Sequence, residues 1–475
     1  MGLIKSIKLS NLSQEKTVRF DVSFIGYTSS SIKNYYTYKD LFDCIESEKL
    51  NLLNLNDFKY VEIGNITKDG EIYPVPLSFN TRSEKNENYF KKIEKGDILK
   101  PKKDDILLSS VRPYLNKNVL IQDEDYYFTK ALIQIRPKKI QSKIFYYSLR
   151  GVFFNLINTV SRQGKSYPTL KIDDLKAIKF PKLMIDKLIS NQVNLLKQIK
   201  KIEKEIQFFK SQKKDTLTIL NNIFSKEFSI DLTKIKEIEN SSQFTLKLEK
   251  TIINNDFFRM SYKWYKLETL QSYMYQNLDN IKKLGNFIVS TKNGWSPQSS
   301  QLEEGTPVLG QEHILKNGNI SLSASKYTQL TKNNINDFYI QKDDFFVSRG
   351  NTIELVALAG IVTDPPKKNI IYPDLYIKID FDTDFINKQY IAYLFNSFIG
   401  RVYFKYVSKG KNQTMVKISS KELLEFYLPI PKKTLQQKIV EKIKTEIDIQ
   451  SNIDTKIQEK RKEINTLIEN TVQEI

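Results

Sequence analysis

Residues 60–72 read YVEIGNITKDGEI, and 248 positions later residues 308–320 read VLGQEHILKNGNI. Ile66 meets Ile314, Lys68 meets Lys316, Gly70 meets Gly318 and Ile72 meets Ile320, so a turn signal between two apolar runs is written twice. The recurrence continues outward from there. KDDILLSSVR (103–112) returns as KDDFFVSRGN (342–351) at an offset of 239. SRQGKSYPTLKI (161–172) returns as VSKGKNQTMVKI (407–418), with Gly164 over Gly410, Lys165 over Lys411 and Ile172 over Ile418. Both stretches then reach a short apolar run with proline, IKFPK (178–182) and FYLPIP (426–431). Each match is short, but their common order makes the chain a tandem of two related halves. A looser echo lies at the amino ends, where Arg19-Phe20-Asp21 and Arg259-Met260-Ser261 each precede tyrosine-containing segments.

After each proline the period of the pattern changes. From Ile185 to Phe224 apolar residues fall at Ile189, Val193, Leu196, Ile199, Ile202, Ile206 and Phe209, then at Leu217, Leu220 and Phe224. From Leu435 to Val472 they fall at Leu435, Ile439, Ile443, Ile447, Ile453, Ile457, Ile464, Leu467 and Val472. Spacings of three and four, with Lys, Glu and Gln between, predict amphipathic helices carrying a narrow coiled-coil-like stripe. Neither segment contains Gly or Pro, so each is expected to run unbroken for about 40 residues, or about 60 Å. The expected packing set is Val193, Leu196, Ile199, Ile206 and Leu217 on the first helix and Ile439, Ile443, Ile453, Ile457 and Ile464 on the second.

The segments before the helices read as short strands (98–108, 131–135, 344–347, 375–379) between turn signals at 68–70, 316–318 and 364–366, with helices at 143–160 and 386–407. The expected class is α+β: two mixed, mostly β globular domains separated by two long antiparallel coiled-coil-like helices, with pseudo-twofold symmetry. The boundaries read as 1–183 for the first domain, 184–226 for the first helix, 227–250 for a connector, 251–432 for the second domain and 433–475 for the second helix. A connector of this length lets the copies fold back, so that the helices bury their stripes on each other and hold the heads at opposite ends of a rod.

Composition narrows the function classes. Hydrophobic residues make up 40% of the 475, with 28 Phe and 26 Tyr, which supplies packed cores and excludes a largely disordered chain. One cysteine, Cys44, excludes an internal disulfide framework and a cysteine-cluster metal site; one histidine, His313, excludes His-rich zinc sites. No apolar run approaches a membrane span. No apolar leader stands near the start, where Met1-Gly2-Leu3-Ile4-Lys5-Ser6 fits only the loose acylation pattern, so a cytoplasmic location is the expectation. Lys and Arg number 74 against 55 Asp and Glu, a net charge of +19, and a field of that sign favours nucleic acid or an anionic membrane surface. Only ten of the basic residues are Arg, so a lysine-biased composition is a second source of the charge.

The enzymatic motifs fail on inspection. Gly164-Lys165-Ser166 resembles the end of a phosphate-binding loop, but Thr159 stands where that pattern needs glycine and Asn412 replaces the hydroxyl in the second copy. Asp364-Pro365-Pro366 is followed by Lys367 where an amino-methyltransferase tetrapeptide needs an aromatic. Pro373-Asp374 is followed by Tyr376 where a nuclease core needs a second acid before Lys378. His313 and Cys44 are expected to be structural, and no catalytic or metal-binding set is expected.

The order of globular unit, proline-containing run and long helix, given twice, resembles the specificity subunit of type I restriction-modification enzymes. The residues that carry the resemblance are Gly294-Trp295-Ser296-Pro297, the Asp-Asp-hydrophobic-Ser stretches at 104–109 and 343–348, the Gly-Lys loops at 164 and 410, and the run into Gln437-Lys438-Ile439-Val440. The first copy has no G-x-S-P counterpart. The resemblance implies a non-catalytic DNA-binding subunit whose two target-recognition domains read the halves of a bipartite, asymmetric double-stranded target. It further implies a helix pair that sets their spacing and docks two DNA methyltransferase subunits, joined by restriction/translocase subunits. S-adenosylmethionine, ATP and Mg would belong to those partners, with no cofactor here and no membrane.

Loop residues beside strands are the natural base readers. Those expected at the DNA are Asn65, Arg112, Arg162, Gln163, Lys165 and Tyr167 in the first copy. In the second they are Asn293, Trp295, Gln311, Arg349, Asn351, Lys409, Lys411 and Gln413. Arg112 and Arg349 suit guanine, the amides adenine and the lysines phosphate; Trp295 fits a packing role in its turn equally well. Two other readings remain open: a coiled-coil oligomerising scaffold with non-DNA binding heads, and a specificity subunit of a methyltransferase-linked system without the restriction motor.

Overall fold

Both copies of the quoted turn close in the same way. Gly70 and Gly318 take left-handed backbone, with φ of +80° and +77°, a conformation open to glycine without a side-chain clash. Ile66 then bridges Ile72, and Ile314 bridges Ile320. The structure, a computed structural model, describes residues 24, 27, 33–46, 57–82, 86–96, 98–162, 167–241, 262–324, 326–412 and 415–473, with the side chains of 411 and 412 outside that description. The looser echo at Arg19 and Arg259, and the expected contacts Gln163, Lys165 and Gln413, lie outside the described residues.

The chain divides into two units, Met1–Ser211 with Thr455–Ile475, and Gln212–Asp454. In the first, β1 (Phe42–Cys44), β2 (Ile106–Ser109), β3 (Val119–Leu120) and β4 (Leu132–Pro137) form an antiparallel sheet in the order β1-β4-β2-β3. In the second, β5 (Ile288–Asn293), β6 (Phe345–Ser348), β8 (Ala359–Ile361) and β9 (Tyr376–Phe381) form one in the order β5-β9-β6-β8. Between β6 and β8, β7 (Gly350–Asn351) leaves to join a small sheet with β10 (Lys409–Asn412) and β11 (Met415–Lys417). The first two of these sheets have the same strand order, whereas a further four-stranded sheet, built from Val75–Ser78, Asp57–Val61, Tyr126–Thr129 and Ile98–Leu99, belongs to the first unit.

The doubled Asp-Asp explains how the central strand of each sheet begins. Asp104 and Asp343 adopt left-handed backbone, φ +68° and +64°, which aspartate tolerates better than most residues. Asp105 and Asp344 follow, both buried. Their carboxylates accept the N–H groups of Lys102 (2.9 Å) and Gln341 (2.8 Å) and pair with Arg136 (2.7 Å) and Lys378 (2.6 Å). A buried carboxylate needs such partners, and here they anchor the start of β2 and β6.

The helices follow the stripes with two corrections. In the first unit, helix Gln192–Ser211 packs antiparallel to the last part of helix Lys433–Gln473: Glu205 meets Lys460 at 2.7 Å, and Lys456 lies 5.4 Å from the Phe209 ring. Its buried positions are Leu195, Ile199, Ile202 and Ile206. Val193, expected in the packing set, is 80% exposed, because two residues from Leu195 is about 200° around the helix; Leu196 is half-buried. In the second unit, helix Thr216–Phe228 runs antiparallel to the earlier part of Lys433–Gln473, with Glu227 on Lys442 at 3.0 Å. Leu217, also expected inside, is 40% exposed, since polar Gln450 and Asp454 face that level. Ile439, Ile443, Ile453, Ile457 and Ile464 are buried.

The first helical segment is interrupted. Helix ends at Ser211 and resumes at Thr216, because Asp215 caps the new start by accepting the Thr218 N–H at 3.0 Å. Gln450 accepts the Lys214 N–H at 2.7 Å, and Lys213 pairs with Asp454 at 2.5 Å. The expected connector contains a further helix, Leu232–Asn240, capped by Asp231. In the second unit the helices share one core with the head: Phe224 stacks on Phe228, ring centroids 5.9 Å apart, and meets Tyr390 edge-on. No helix among the described residues is long and apolar enough to cross a membrane.

Candidate nucleic-acid interface

In the second unit the candidate residues gather where β5 and β6 end and β9 begins. Asn293, exposed, closes β5 opposite Ile377. The chain then turns through Gly294, whose N–H reaches Tyr376 O at 3.2 Å. A Cβ at that glycine would come within 2.2 Å of Pro373 O, so only glycine lets the two loops pass this closely. Trp295 donates its N–H to Tyr372 O at 3.0 Å and packs its ring toward Phe338, centroids 6.2 Å apart, with the Lys332 ammonium 4.6 Å from the indole. This side chain is half-buried and stiffens the turn. Ser296 and Asp374 then tie the turn to the loop before β9: the hydroxyl meets the carboxylate and accepts the Asp374 N–H at 3.0 Å.

Arg349 is held from both sides by its backbone. Its N–H donates to Leu375 O at 2.7 Å and its carbonyl accepts the Ile418 N–H at 2.9 Å. Its guanidinium has a carbonyl for neighbour, Asp374 O at 3.5 Å, at the outer limit of a hydrogen bond. Gly350 and Asn351 pair with Lys417 and Val416, the Gln311 amide donates to Gly350 O, and Asn351 Oδ1 accepts the Thr352 N–H at 2.8 Å. Five of the expected residues, Trp295, Gln311, Arg349, Asn351 and Lys409, thus belong to loops and strands knitted at one edge, with Lys411 on the same β10. Lys409 is not a free cation: its ammonium pairs with Glu422 at 2.7 Å. Burial would push the Glu422 carboxyl up, but hydrogen bonds from Lys409 and Ser419 bring it down to about 2.

The first unit builds a similar edge with other side chains. Arg112, in left-handed backbone at φ +50°, donates its N–H to Pro168 O at 2.9 Å, and its guanidinium lies 5.3 Å from the Tyr167 ring. Tyr167 is 40% exposed. Leu170 donates its N–H to Ser110 O at 2.8 Å, binding the 161–170 loop to the end of β2. Arg162 exchanges backbone bonds with Thr169, and its Nε meets the buried Asp174 at 2.8 Å; the Asn65 carboxamide accepts the Glu62 N–H at 3.0 Å. Both side chains brace their own turns.

Sequence reasoning missed the Ser296–Asp374 tie, Lys332 and Lys417. Lys417 was within reach of the repeat, since Lys417-Ile418 stands over Lys171-Ile172; the Ser296–Asp374 tie spans 78 positions and leaves no local signal. His313 is buried, with Nε2 2.8 Å from Ser323 O, and burial raises the Cys44 thiol above its ordinary value, which disfavours the thiolate. Among the described residues no His, Cys, Asp and Glu group of three or more could hold a metal ion. A cleft of about 740 Å³ in the first unit lies between the 69–72 turn and helix Gln192–Ser211, away from Arg112 and Tyr167.

Residues 276–463 match the type I restriction modification DNA specificity domain. No curated protein matches the chain. Three solved structures are similar over nearly the full length. One, of a type I R-M system, described for its complex assembly and conformational transition, has 12% identity over 92% of this chain and 97% of that chain, with a TM-score of 0.44. The HsdS subunit from Thermoanaerobacter tengcongensis has 13% identity over 93% and 96%, with a TM-score of 0.32. The type I restriction-modification S subunit from M. genitalium has 13% identity over 94% and 96%, with a TM-score of 0.35. The stretch 276–463 is thus similar to the DNA specificity domain of type I restriction-modification systems.

Proposed function

We propose that the chain reads a bipartite, asymmetric double-stranded DNA target, one half through the head in residues 1–183 and the other through the head in residues 251–432. The observation that carries this reading is the doubled edge. Equivalent loops follow β2 and β6, but they carry Arg112 with Tyr167 in one unit and Arg349 with Gln311 and Asn351 in the other. One scaffold with two unlike sets of base-reading side chains suits a target whose halves differ. The helical segments 184–226 and 433–475 would set the spacing and dock two methyltransferase subunits, with restriction/translocase subunits joining a cytoplasmic assembly. S-adenosylmethionine, ATP and Mg would be handled by those partners.

The test is to map modified bases in DNA from cells expressing the chain with its methyltransferase partner. Two unlike sequence blocks at a constant separation are the expected outcome; a single continuous or palindromic motif would remove the two-reader model.

A further inference from the structure

We infer that Ser296 is a positioning residue that restrains the Asp374 carboxylate and so keeps Arg349 available to DNA; this rests on the recognition role proposed above. The geometry is a problem of competing charges. Asp374 O lies 3.5 Å from Arg349 Nη1, so an acidic residue is the immediate neighbour of the guanidinium. A carboxylate free to turn would take the arginine in a paired, two-pronged contact, the arrangement that guanidinium and carboxylate favour. That pairing would consume the donors Arg349 needs for O6 and N7 of a guanine.

Ser296 prevents the turn. Its hydroxyl engages the Asp374 carboxylate while its oxygen accepts the Asp374 N–H at 3.0 Å, a closed ring that fixes both the backbone and the side chain of Asp374. Ser296 is itself held. Gly294 bonds to Tyr376 O and Trp295 to Tyr372 O, and the close pass at Gly294 leaves no room for the turn to shift toward Pro373. The G-x-S-P sequence thereby gains a purpose for each of three positions: close approach at Gly294, anchoring at Trp295 and restraint of an acid at Ser296. The first copy lacks this sequence, and there Arg112 lies instead against the Tyr167 ring, a neighbour that cannot neutralise it.

The experiment measures binding of the full chain, in its methyltransferase complex, to a duplex bearing the mapped target and to an unrelated duplex. For Ser296→Ala, a loss of about tenfold to a hundredfold is expected on the target and less than about threefold on the unrelated duplex, the scale of one lost base reader. The loss should fall on one half-site, Ser296→Thr should keep it small, and Ser296→Ala with Asp374→Asn should restore most of the binding by removing the competing charge. A double variant no better than Ser296→Ala, or an equal loss on both duplexes, overturns the restraint and leaves a structural tie. An unchanged Ser296→Ala overturns it also. A wild-type complex that binds both duplexes alike overturns the recognition role, and the inference with it.

Discussion

Glu422 illustrates how one acid organises the edge that carries the candidate residues. It accepts the N–H of Ser419 at 2.9 Å, closing the turn before β11's neighbouring helix, and it takes the ammonium of Lys409, which is otherwise 69% exposed. The carboxylate side chain is only 9% exposed, and its folded value near 2 lies below the ordinary 4.5. A carboxyl lowered by folding stabilises above its unfolded value, and that contribution is lost as pH falls from about 4.5 through 2. Glu422→Gln is therefore expected to lower stability by about 1–3 kcal/mol at pH 7, with the gap to wild type narrowing below pH 4.5. Denaturant unfolding at pH 7 and at pH 3.5 checks it; a gap that widens in acid contradicts the assignment. Arg401 shows a second device at this scale. Half-buried, with no carboxylate among its hydrogen-bond partners, it donates to Val356 O (2.6 Å) and Ala357 O (2.9 Å), and desolvation lowers its guanidinium to about 9. It fixes the segment that follows Asn351.

At the scale of elements, the helix stripe decides what can be removed. Ile199 is fully buried in the first unit, whereas Val193, six positions earlier on the same segment, is 80% exposed. Ile199→Ala is expected to cost about 2–5 kcal/mol and Val193→Ala less than about 0.5 kcal/mol, measured by chemical unfolding; similar costs would contradict this register. The sequence made the period legible but not the phase. Both Val193 and Leu195 are apolar, and only packing against the partner helix selects Leu195. The interruption at 212–215 was legible in part: Asp215-Thr216-x-Thr218 is a cap signal, hidden because no Gly or Pro announces a break. The same happened at Ser397, which caps Phe398–Val407 and divides the helix expected over 386–407. The strands were legible in part: Asp344–Val347 and Leu375–Ile379 fall within two residues of β6 and β9, whereas the stretch read as one strand over 98–108 divides into Ile98–Leu99 and β2, in separate sheets. At the candidate site, backbone placement followed from the repeat, but side-chain engagement did not. Lys409, Arg162 and Asn65 are occupied by Glu422, Asp174 and Glu62, partners that no loop sequence identifies.

At the scale of the molecule, duplication without identity is what makes the chain useful. The two sheets share strand order, and the two Asp-Asp starts share backbone angles. The loops beyond them have diverged, as Arg349 stands where the first copy has Ser110 and Asn351 where it has Arg112. Among the described residues, the bonds named for each set of loops lie inside its own unit. Recognition should then be modular. Replacing residues 1–180 with the corresponding segment of another specificity subunit is expected to change one block of the modified sequence and leave the second block intact, as read by sequencing modified DNA. Four residues inserted after Lys210, just before the break at 212–215, are expected to alter the separation between the blocks, or to abolish modification, while leaving the bases in any surviving blocks unchanged. The two experiments divide the reading. A segment exchange that altered both blocks would make the readers interdependent, and an insertion with wild-type spacing would move the measurement of distance from the helices to a partner subunit.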